Sequence, residues 1–361
     1  MFVRGVSLAN VRSRRELSLD LGAGLTILVG SNGAGKTTVL EGVTLALEGR
    51  LLRSGNFRDL IRSGDDLLRI EVALEDDGIA TTATVAYSRE GERRLTADGA
   101  PLEDCSRWRE ALPIRTFVPD DLRLIKGGPR RRREYLDGLA AGCDPEHRGT
   151  LERYDEALAQ RNALLRVTRM GGQDAQFVPW ETIMAQSGLA VSAARARALA
   201  TFIGSFQRTH AELTGEAPDT LRLVYRSNVA GLDEADYRER LAEMRTADRQ
   251  RTYTHLGPHR DDLRLVRNGL DMRECASQGE QRAALLTLVL AEWEYECGRA
   301  RKPLLLLDDV MSELDEARRR ALVRLLQQGG QVVVTTTDLR YFSPEELSEA
   351  TIVELSDSGR V

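Results

Sequence analysis

Polar and apolar residues alternate over Glu16-Leu17-Ser18-Leu19-Asp20-Leu21, and a mainly apolar run follows at Leu25-Thr26-Ile27-Leu28-Val29. Alternation with a period of two marks a half-buried strand and a short apolar run marks one covered on both faces, so Phe2 to Gly30 reads as strands. A helical pattern takes over from about Lys36 to Glu48. Alternation returns at Leu68 to Leu74 and Ala80 to Ser88, and Glu75-Asp76-Asp77-Gly78 between them supplies the turn of an antiparallel pair. The first third of the chain is thus expected to form a mixed sheet with one early helix.

At about residue 123 the pattern changes to helical sequence rich in Arg, Ala and Leu. Leu151, Tyr154, Leu158 and Leu165 fall on one heptad-like seam, and Ala196, Leu199, Ile203, Phe206 and Leu213 on a second. Gly171-Gly172 to Trp180, with Pro179, reads as the turn between them. Two helices of roughly 20 to 25 residues make an arm of only about 30 to 40 Å, either packed on a domain or standing as a short coiled coil. In the last third, a helix at about Gln278 to Arg299, a strand at Pro303 to Leu307, a helix at about Asp315 to Gln327 and a strand at Gln331 to Thr336 alternate. Buried apolar runs separated by helices predict a parallel sheet covered on both faces. The sheet-forming ends, 1–122 and 300–361, are expected to build one α/β lobe. Residues 123–299 would then be a mainly helical second lobe with the short antiparallel arm.

A chain of 361 residues has room for two or three domains with cores of their own. Lys plus Arg is 51 against 56 Asp plus Glu, a net charge of −5 that by itself suggests no nucleic-acid partner. The only lysines are Lys36, Lys126 and Lys302; every other basic residue of that class is arginine. Apolar runs fall far short of the ~20 residues that span a bilayer, and Met1 to Leu8 show no secretory pattern, so a soluble, cytoplasmic protein without a membrane partner is expected. Cys105, Cys143, Cys275 and Cys297 form no CxxC pair, which fits reduced thiols. Gly257-Pro258 between His255 and His259 breaks the helix that would bring both to one metal, and a shaped loop is expected there.

Gly30-Ser31-Asn32-Gly33-Ala34-Gly35-Lys36-Thr37 fits GxxxxGK[ST], directly between an apolar strand and a helical pattern. Its glycines let backbone N–H groups close around phosphate oxygens, and the helix N-terminus adds partial positive charge. Lys36 would reach the β- and γ-phosphates of a nucleotide, and the Thr37 hydroxyl would ligate Mg²⁺. Leu304 to Leu307 followed by Asp308-Asp309 is an apolar strand ending in two carboxylates. A buried strand followed by a helix-capping aspartate gives the same string. Beside a phosphate loop, however, it is the expected Walker B element, with Asp308 on Mg²⁺ and Asp309 placed to polarise attacking water. Ser277-Gln278-Gly279-Glu280-Gln281-Arg282 opens the long helix with the S-x-x-E spacing of a capping box, and the same capped terminus suits a phosphate.

Taken in order, the phosphate loop, Ser277 to Arg282, Asp308-Asp309 and Ser312-Glu313-Leu314-Asp315 resemble the Walker A, signature, Walker B and D-loop of ABC-type ATPases. Within that superfamily the chain is similar to the RecF family of bacterial recombinational DNA repair ATPases. The matching segments are Asn32 to Thr37, Pro119-Asp120-Asp121-Leu122 through the arginines to Tyr135-Leu136-Asp137, Gly257-Pro258-His259-Arg260-Asp261-Asp262-Leu263, Ser277 to Arg282, and Asp308-Asp309 through Leu314-Asp315. The likeness runs from Asn10-Val11-Arg12 to Thr335-Thr336-Thr337-Asp338.

The resemblance implies an ABC-type ATPase head, a P-loop NTPase fold with mixed and parallel sheets, plus the inserted helical lobe. It implies ATP and Mg²⁺ as cofactors, with Arg12 and Gly30 through Thr38 at the nucleotide, Thr37 and Asp308 at the metal, and Lys36, Asp308 and Asp309 in catalysis. Ser277, Gln278, Gly279, Glu280, Gln281 and Arg282 would reach the γ-phosphate held by a second copy, with Ser312 and Asp315 in the D-loop. Thr336, Thr337 and Asp338 stand where transporters carry the switch histidine, no Gln occupies the loop around Pro119 to Leu124, and Asp309 is one methylene shorter than the usual Glu. Slow, DNA-stimulated hydrolysis is the corresponding expectation. ATP would close a homodimeric clamp on double-stranded DNA and ss/dsDNA junctions, working with RecR and RecO to load RecA. Arg12, Arg14 and Arg15 and the run Arg130-Arg131-Arg132-Arg133 are the candidate DNA surface. An SMC-like structural ATPase lacks its long heptad rods here, and a transport-coupling ATPase lacks its Gln and His.

Overall fold

The computed structural model describes residues 1–53, 55–119, 122–168, 174–298, 302–327 and 329–356. Asp120 and Asp121 of the expected motif, the Gly171-Gly172 turn and the predicted helix end at Arg299 lie outside the described residues. The chain forms two compact units, one of Met1–Asp121, Arg208–Glu216 and Arg282–Val361, the other of Leu122–Gln207 and Ala217–Gln281.

In the first unit, the alternating segments become β1 (Phe2–Val11) and β2 (Arg14–Asp20), antiparallel with Val6 opposite Leu19 and Leu8 opposite Leu17. The apolar run becomes β3 (Leu25–Gly30), which feeds α1 (Lys36–Glu48). Next come β4 (Leu67–Asp76), β5 (Ile79–Ser88), β6 (Arg93–Ala97), β7 (Ala100–Leu102), α2 (Ser106–Ala111) and β8 (Ile114–Phe117). Strands in the order β2-β1-β4-β5-β6-β7 make an antiparallel sheet. Helix α1 is buried nearly all round, through Val39, Leu40, Val43 and Leu47. A side chain at Gly42 would run into Leu8 at 2.6 Å, so glycine lets the helix lie directly on this sheet.

The second unit holds α3 (Arg123–Lys126), α4 (Pro129–Cys143), α5 (His147–Val167) and the greater part of α6 (Val178–Thr214). Helix α6 has 37 residues, longer than the seam predicts, because Pro179 sits in its first turn, where a missing N–H is harmless, rather than in the preceding loop. Tyr154 and Ala157 of α5 pack with Met184, Ala185 and Val191 of α6, so these helices are part of a packed core and not a free-standing coiled coil. Of the expected seam, Leu199, Phe206 and Leu213 are buried and Ala196 is exposed; the buried stripe of α6 also takes in Val191, Ala194, Ala198 and Phe202. At the centre lies Arg161, fully buried, bonded to Glu181 and Asp248, to the Thr254 hydroxyl and to the Leu241 carbonyl.

The middle of the chain also contains strands that a helical reading misses. After β9 (Leu221–Arg226) come α7 (Glu234–Glu243), α8 (Arg245–Arg251), β10 (Asp262–Arg267), β11 (Leu270–Asp271), α9 (Met272–Cys275) and α10 (Gln278–Cys297). The strands pair antiparallel in the order β11-β10-β9. Their alternation, Leu221-Arg222-Leu223 and Leu263-Arg264-Leu265, buries one residue in two, each time the leucine. The body of α10 belongs to the first unit, from Arg282 rather than from residue 300 onward. Arg115 of β8 pairs with Glu292 at 2.7 Å and with Glu296, and the Trp293 indole donates to the Pro303 carbonyl.

The chain closes with β12 (Leu304–Leu307), α11 (Glu316–Leu326), β13 (Val332–Thr336), α12 (Pro344–Glu349) and β14 (Thr351–Leu355). The strand order β14-β3-β13-β12-β8 is parallel throughout, with β12 and β13 wholly buried, as unbroken apolar runs require. Gln331 joins this sheet to the antiparallel one. Its side chain accepts from the Val3 N–H and donates to the carbonyls of Val3 and Gly22.

Gln331→Leu strands those three groups, of which the Val3 N–H and carbonyl are buried, and is expected to destabilise the fold by about 2–4 kcal/mol in urea unfolding, with no change in the cooperativity slope if the native state stays intact. A second expectation concerns His259, whose Nε2 donates to the Thr254 carbonyl and whose Nδ1 accepts from the Tyr154 hydroxyl. Burial, reinforced by Arg260 and Arg133, pushes its pKa down to about 4. Between that value and the ordinary ~6.5 only the unfolded chain holds the extra proton, so stability falls as pH drops through this window, by about 3 kcal/mol in total. Unfolding titrations of the parent and His259→Gln should show this part of the slope only in the parent.

Candidate functional site

Strand β3 ends at Gly30, where a Cβ would lie 2.4 Å from the Leu355 carbonyl oxygen, so contact with β14 demands glycine. Gly33 and Gly35 take φ of +88° and +84°, a left-handed conformation that costs glycine little. Arg14 holds the loop from behind by donating to the carbonyls of Ala34 and Ser356. Lys36, 7% exposed at the first position of α1, donates from Nζ to the carbonyls of Gly30 and Ser31 at 2.7 and 2.8 Å. Loop and lysine are therefore held in place by the chain itself.

Beside them, the carboxyl ends of β12 and β13 deliver Asp308 and Thr335. The Thr37 hydroxyl donates to Asp308 Oδ1 at 2.8 Å, the Thr335 hydroxyl donates to the same oxygen at 2.9 Å, and Arg53 pairs with Oδ2 at 2.6 Å. Thr335 also accepts from the Asp309 N–H at 2.8 Å, so one buried hydroxyl fixes both carboxylate residues. Asp309 adopts φ of +45°, in the left-handed region that a non-glycine residue rarely occupies. One of its carboxylate oxygens accepts from Ser312 and the other, Oδ1, is buried with no hydrogen-bond partner among the described residues. Arg12, with φ of +57°, lines the same crevice and makes a two-bond pair with Glu41. That bond raises the Arg12 pKa above its already high ordinary value despite partial burial.

These side chains line a crevice of about 510 Å³ together with Ser13, Asn32, Gly33, Gly35 and Thr38. It lies outside the carboxyl ends of parallel strands, where α/β sheets bind ligands. Among the described residues no three His, Cys, Asp or Glu gather into a metal cage. The Thr37 hydroxyl and Asp308 carboxylate nonetheless fit Mg²⁺, which takes few protein oxygens and completes its shell with phosphate and water. Thr335, Arg53, Glu41 and Ser13 were not singled out from the sequence. Thr335 was legible in principle, because it ends the strand next to β3 and alternation sends it toward Asp308 while Thr336 faces the other way.

The remaining candidates are dispersed. Ser277 and Glu280 form the reciprocal capping box, leaving Ser277, Gln278 and Gly279 exposed. Gln281 is 2% exposed and donates to the carbonyls of Met272 and Ala276, so it braces its own turn instead of facing outward. Arg282 pairs with Glu313, and Asp315 caps α11 through the Arg318 N–H. Thr336 is buried and bonded to the Asp338 backbone, Thr337 is exposed, and Asp338 is held by Arg340. The four arginines do not form one surface. Arg132 is 1% exposed and paired with Asp262, Arg133 donates to the Asp261 carbonyl, and only Arg130 and Arg131 project outward, both against Glu134. The helix period divides a run that looks uniform in sequence.

Comparison with known proteins agrees with this geometry. Residues 2–354 match the RecF/RecN/SMC N-terminal domain family. The DNA replication and repair protein RecF of Heliobacterium modesticaldum is 34% identical over 98% of this chain and 97% of its own, and that of Herpetosiphon aurantiacus is 35% identical over 97% of each. A solved recombination mediator protein RecF with ATP, described as part of the RecFOR pathway, superposes with a TM-score of 0.80 at 27% identity, covering 95% of this chain and 93% of that one. An Smc head bound to the winged-helix domain of ScpA shares the fold at a TM-score of 0.59 and 14% identity, over 98% of this chain and 94% of its own. The mixed α/β head, the phosphate loop and these full-length matches together show that the chain belongs to the RecF family of DNA replication and repair proteins.

Proposed function

We propose that this chain binds ATP with Mg²⁺ in the crevice at the ends of β3, β13 and β12, dimerises through it, and closes on DNA as a clamp that slow hydrolysis opens. The observation that carries the reading is the Thr37–Asp308–Thr335 constellation directly beside Lys36. The ordered loop N–H groups and Lys36 would take the phosphates, and Thr37 with Asp308 would hold Mg²⁺, which neutralises charge on the β- and γ-phosphates. Asp309 Oδ1 would accept a hydrogen bond from the attacking water; its shorter side chain than glutamate suits slow turnover.

Dimerisation is supported by the capped start of α10. Ser277 and Gly279 are exposed, and a Cβ at Gly279 would touch nothing within 4 Å in its own chain. The glycine therefore answers no internal steric need, and close approach to a phosphate on a second copy gives it one. Gln281 and Arg282 would support that surface from within, Gln281 by fixing the turn and Arg282 through Glu313. Solved relatives are described as recombination mediators of the RecFOR pathway, which supports RecR and RecO as partners and the loading of RecA at gapped or ss/dsDNA junctions as the outcome.

Light scattering should show a mass that doubles with ATP and returns with ADP, a change that Lys36→Met abolishes. Asp309→Asn should dimerise with ATP while its turnover falls by about a hundredfold or more. An unchanged mass for Asp309→Asn with ATP would sink the clamp. Thr335→Val leaves the Asp309 N–H without its acceptor and Asp308 short of a donor, a loss of about 1–3 kcal/mol. Calorimetric titration should find its affinity for Mg·ATP reduced about tenfold or more.

A further inference from the structure

The nucleotide crevice is electrically closed before any ligand enters it. Its charged lining consists of three cations, Arg12, Lys36 and Arg53, and three carboxylates, Glu41, Asp308 and Asp309, so the charges cancel. The two arginines are held very differently. Arg12 is fixed by three bonds, two to Glu41 and one to the Asp59 carbonyl. Arg53 makes one hydrogen bond among the described residues, from Nη2 to Asp308 Oδ2, and its side chain is 46% exposed.

The backbone that delivers Arg53 is anchored while the side chain is not. Gly49 ends α1 with φ of +70° and turns the chain back, Leu52 is buried in the core of the first unit, and Asn56 caps the short turn Phe57–Leu60. The guanidinium therefore stands at the end of a long side chain with a fixed root, within reach of Asp308 and free to swing outward. Asp308 Oδ1 is committed to two hydroxyls, those of Thr37 and Thr335, and the Thr37 contact to Oδ2 is the longer one at 3.1 Å. Oδ2 is thus the oxygen left for a cation, and Arg53 holds it at 2.6 Å. A hard divalent ion seeks carboxylate oxygen of this kind and is repelled by a guanidinium on the same atom.

We propose that Arg53 is a stand-in cation: in the nucleotide-free chain it occupies the metal position on Asp308, and it yields that oxygen only when Mg²⁺ and a nucleotide are bound together. Exchanging a guanidinium for a divalent ion leaves the crevice with excess positive charge, which the phosphates of a nucleotide offset. Metal binding is thereby made conditional on the nucleotide, and the buried carboxylate is never left without a cation, a costly state. This role for Arg53 rests on the Mg²⁺-nucleotide reading of the crevice, but the competition at Asp308 is measurable with no nucleotide present.

The experiment titrates the full chain with Mn²⁺, which takes the same oxygen ligands as Mg²⁺ in the same octahedral geometry, and follows the loss of the free ion's electron paramagnetic resonance signal. Arg53→Gln keeps a side-chain donor for Asp308 but removes the charge, and Arg53→Ala removes both. Without nucleotide, both variants should half-saturate at about a tenth or less of the Mn²⁺ that the parent needs, because a charge-assisted hydrogen bond no longer competes, while Arg53→Lys follows the parent. Adding Asp308→Asn to Arg53→Gln should abolish the gain, which assigns it to that carboxylate rather than to Asp309. Saturating ADP should tighten Mn²⁺ binding about tenfold more in the parent than in Arg53→Gln. Equal Mn²⁺ binding by the parent and both neutral variants, no binding by any of them, or a gain that survives Asp308→Asn would each overturn the exchange. Parent Mn²⁺ binding that ADP leaves unchanged, alongside the variants' gain, would leave Arg53 standing as the competing cation and fall on the nucleotide reading instead.

Discussion

Asp308 is the group on which the site depends. A carboxylate buried to 2% exposure is stable as a charge only where donors surround it, and here the donors come from three different parts of the chain: Thr37 at the start of α1, Thr335 at the end of β13, and Arg53 after α1. Satisfying that one charge fixes the spacing of the phosphate loop, the acidic strand end and its neighbour. The same hydroxyl of Thr335 that serves Asp308 also receives the Asp309 N–H. The left-handed backbone at Asp309 is thereby held in place, and its Oδ1 has no hydrogen-bond partner among the described residues. Strain and an acceptor without a partner among the described residues coincide on Asp309, beside a satisfied carboxylate, and this is the ground on which we propose the attacking water there.

The surrounding fold keeps those three contributions in register. Helix α1 is buried between its neighbours with Gly42 against Leu8, and Gly30 lies against the backbone of β14, so the phosphate loop is bounded by contacts that leave no room for side chains. Arg14 and Gln331 tie the two sheets of the first unit together through backbone carbonyls and, for Gln331, one backbone N–H; neither needs a charged partner. Bonds of this kind are lost in full when one side chain is removed, which makes the two residues structural counterparts of the glycines.

The elements that hold the nucleotide crevice were legible because their periodicity and their chemistry agree. The apolar run of β3, the glycines and Lys36 at the head of a helical pattern, and Leu304–Leu307 before two carboxylates each point the same way. The middle third was not legible to the same degree. Strands β9 and β10 alternate leucine and arginine, a pattern masked by the arginine-rich helices around them, and their sheet depends on pairing between segments about 40 residues apart that no local window contains. The second seam failed at Ala196 for a related reason: alanine is small enough to satisfy a heptad on paper while the helix turns it to solvent. Thr335 was overlooked because a threonine in a row of three carries no signal until the strand beside β3 is known.

Arginine use explains why net charge says so little about this protein. A guanidinium keeps its charge when buried and offers several donors in a fixed plane, so it can knit an interior where a lysine would lose its proton. Arg132, Arg161 and Arg195 do this in the second unit, each almost fully buried and each paired with an aspartate. Four arginines in a row therefore become one interior brace, one half-buried donor and two surface cations shared with Glu134. What distinguishes a cation available to a partner is the absence of an internal carboxylate, not its place in a basic run.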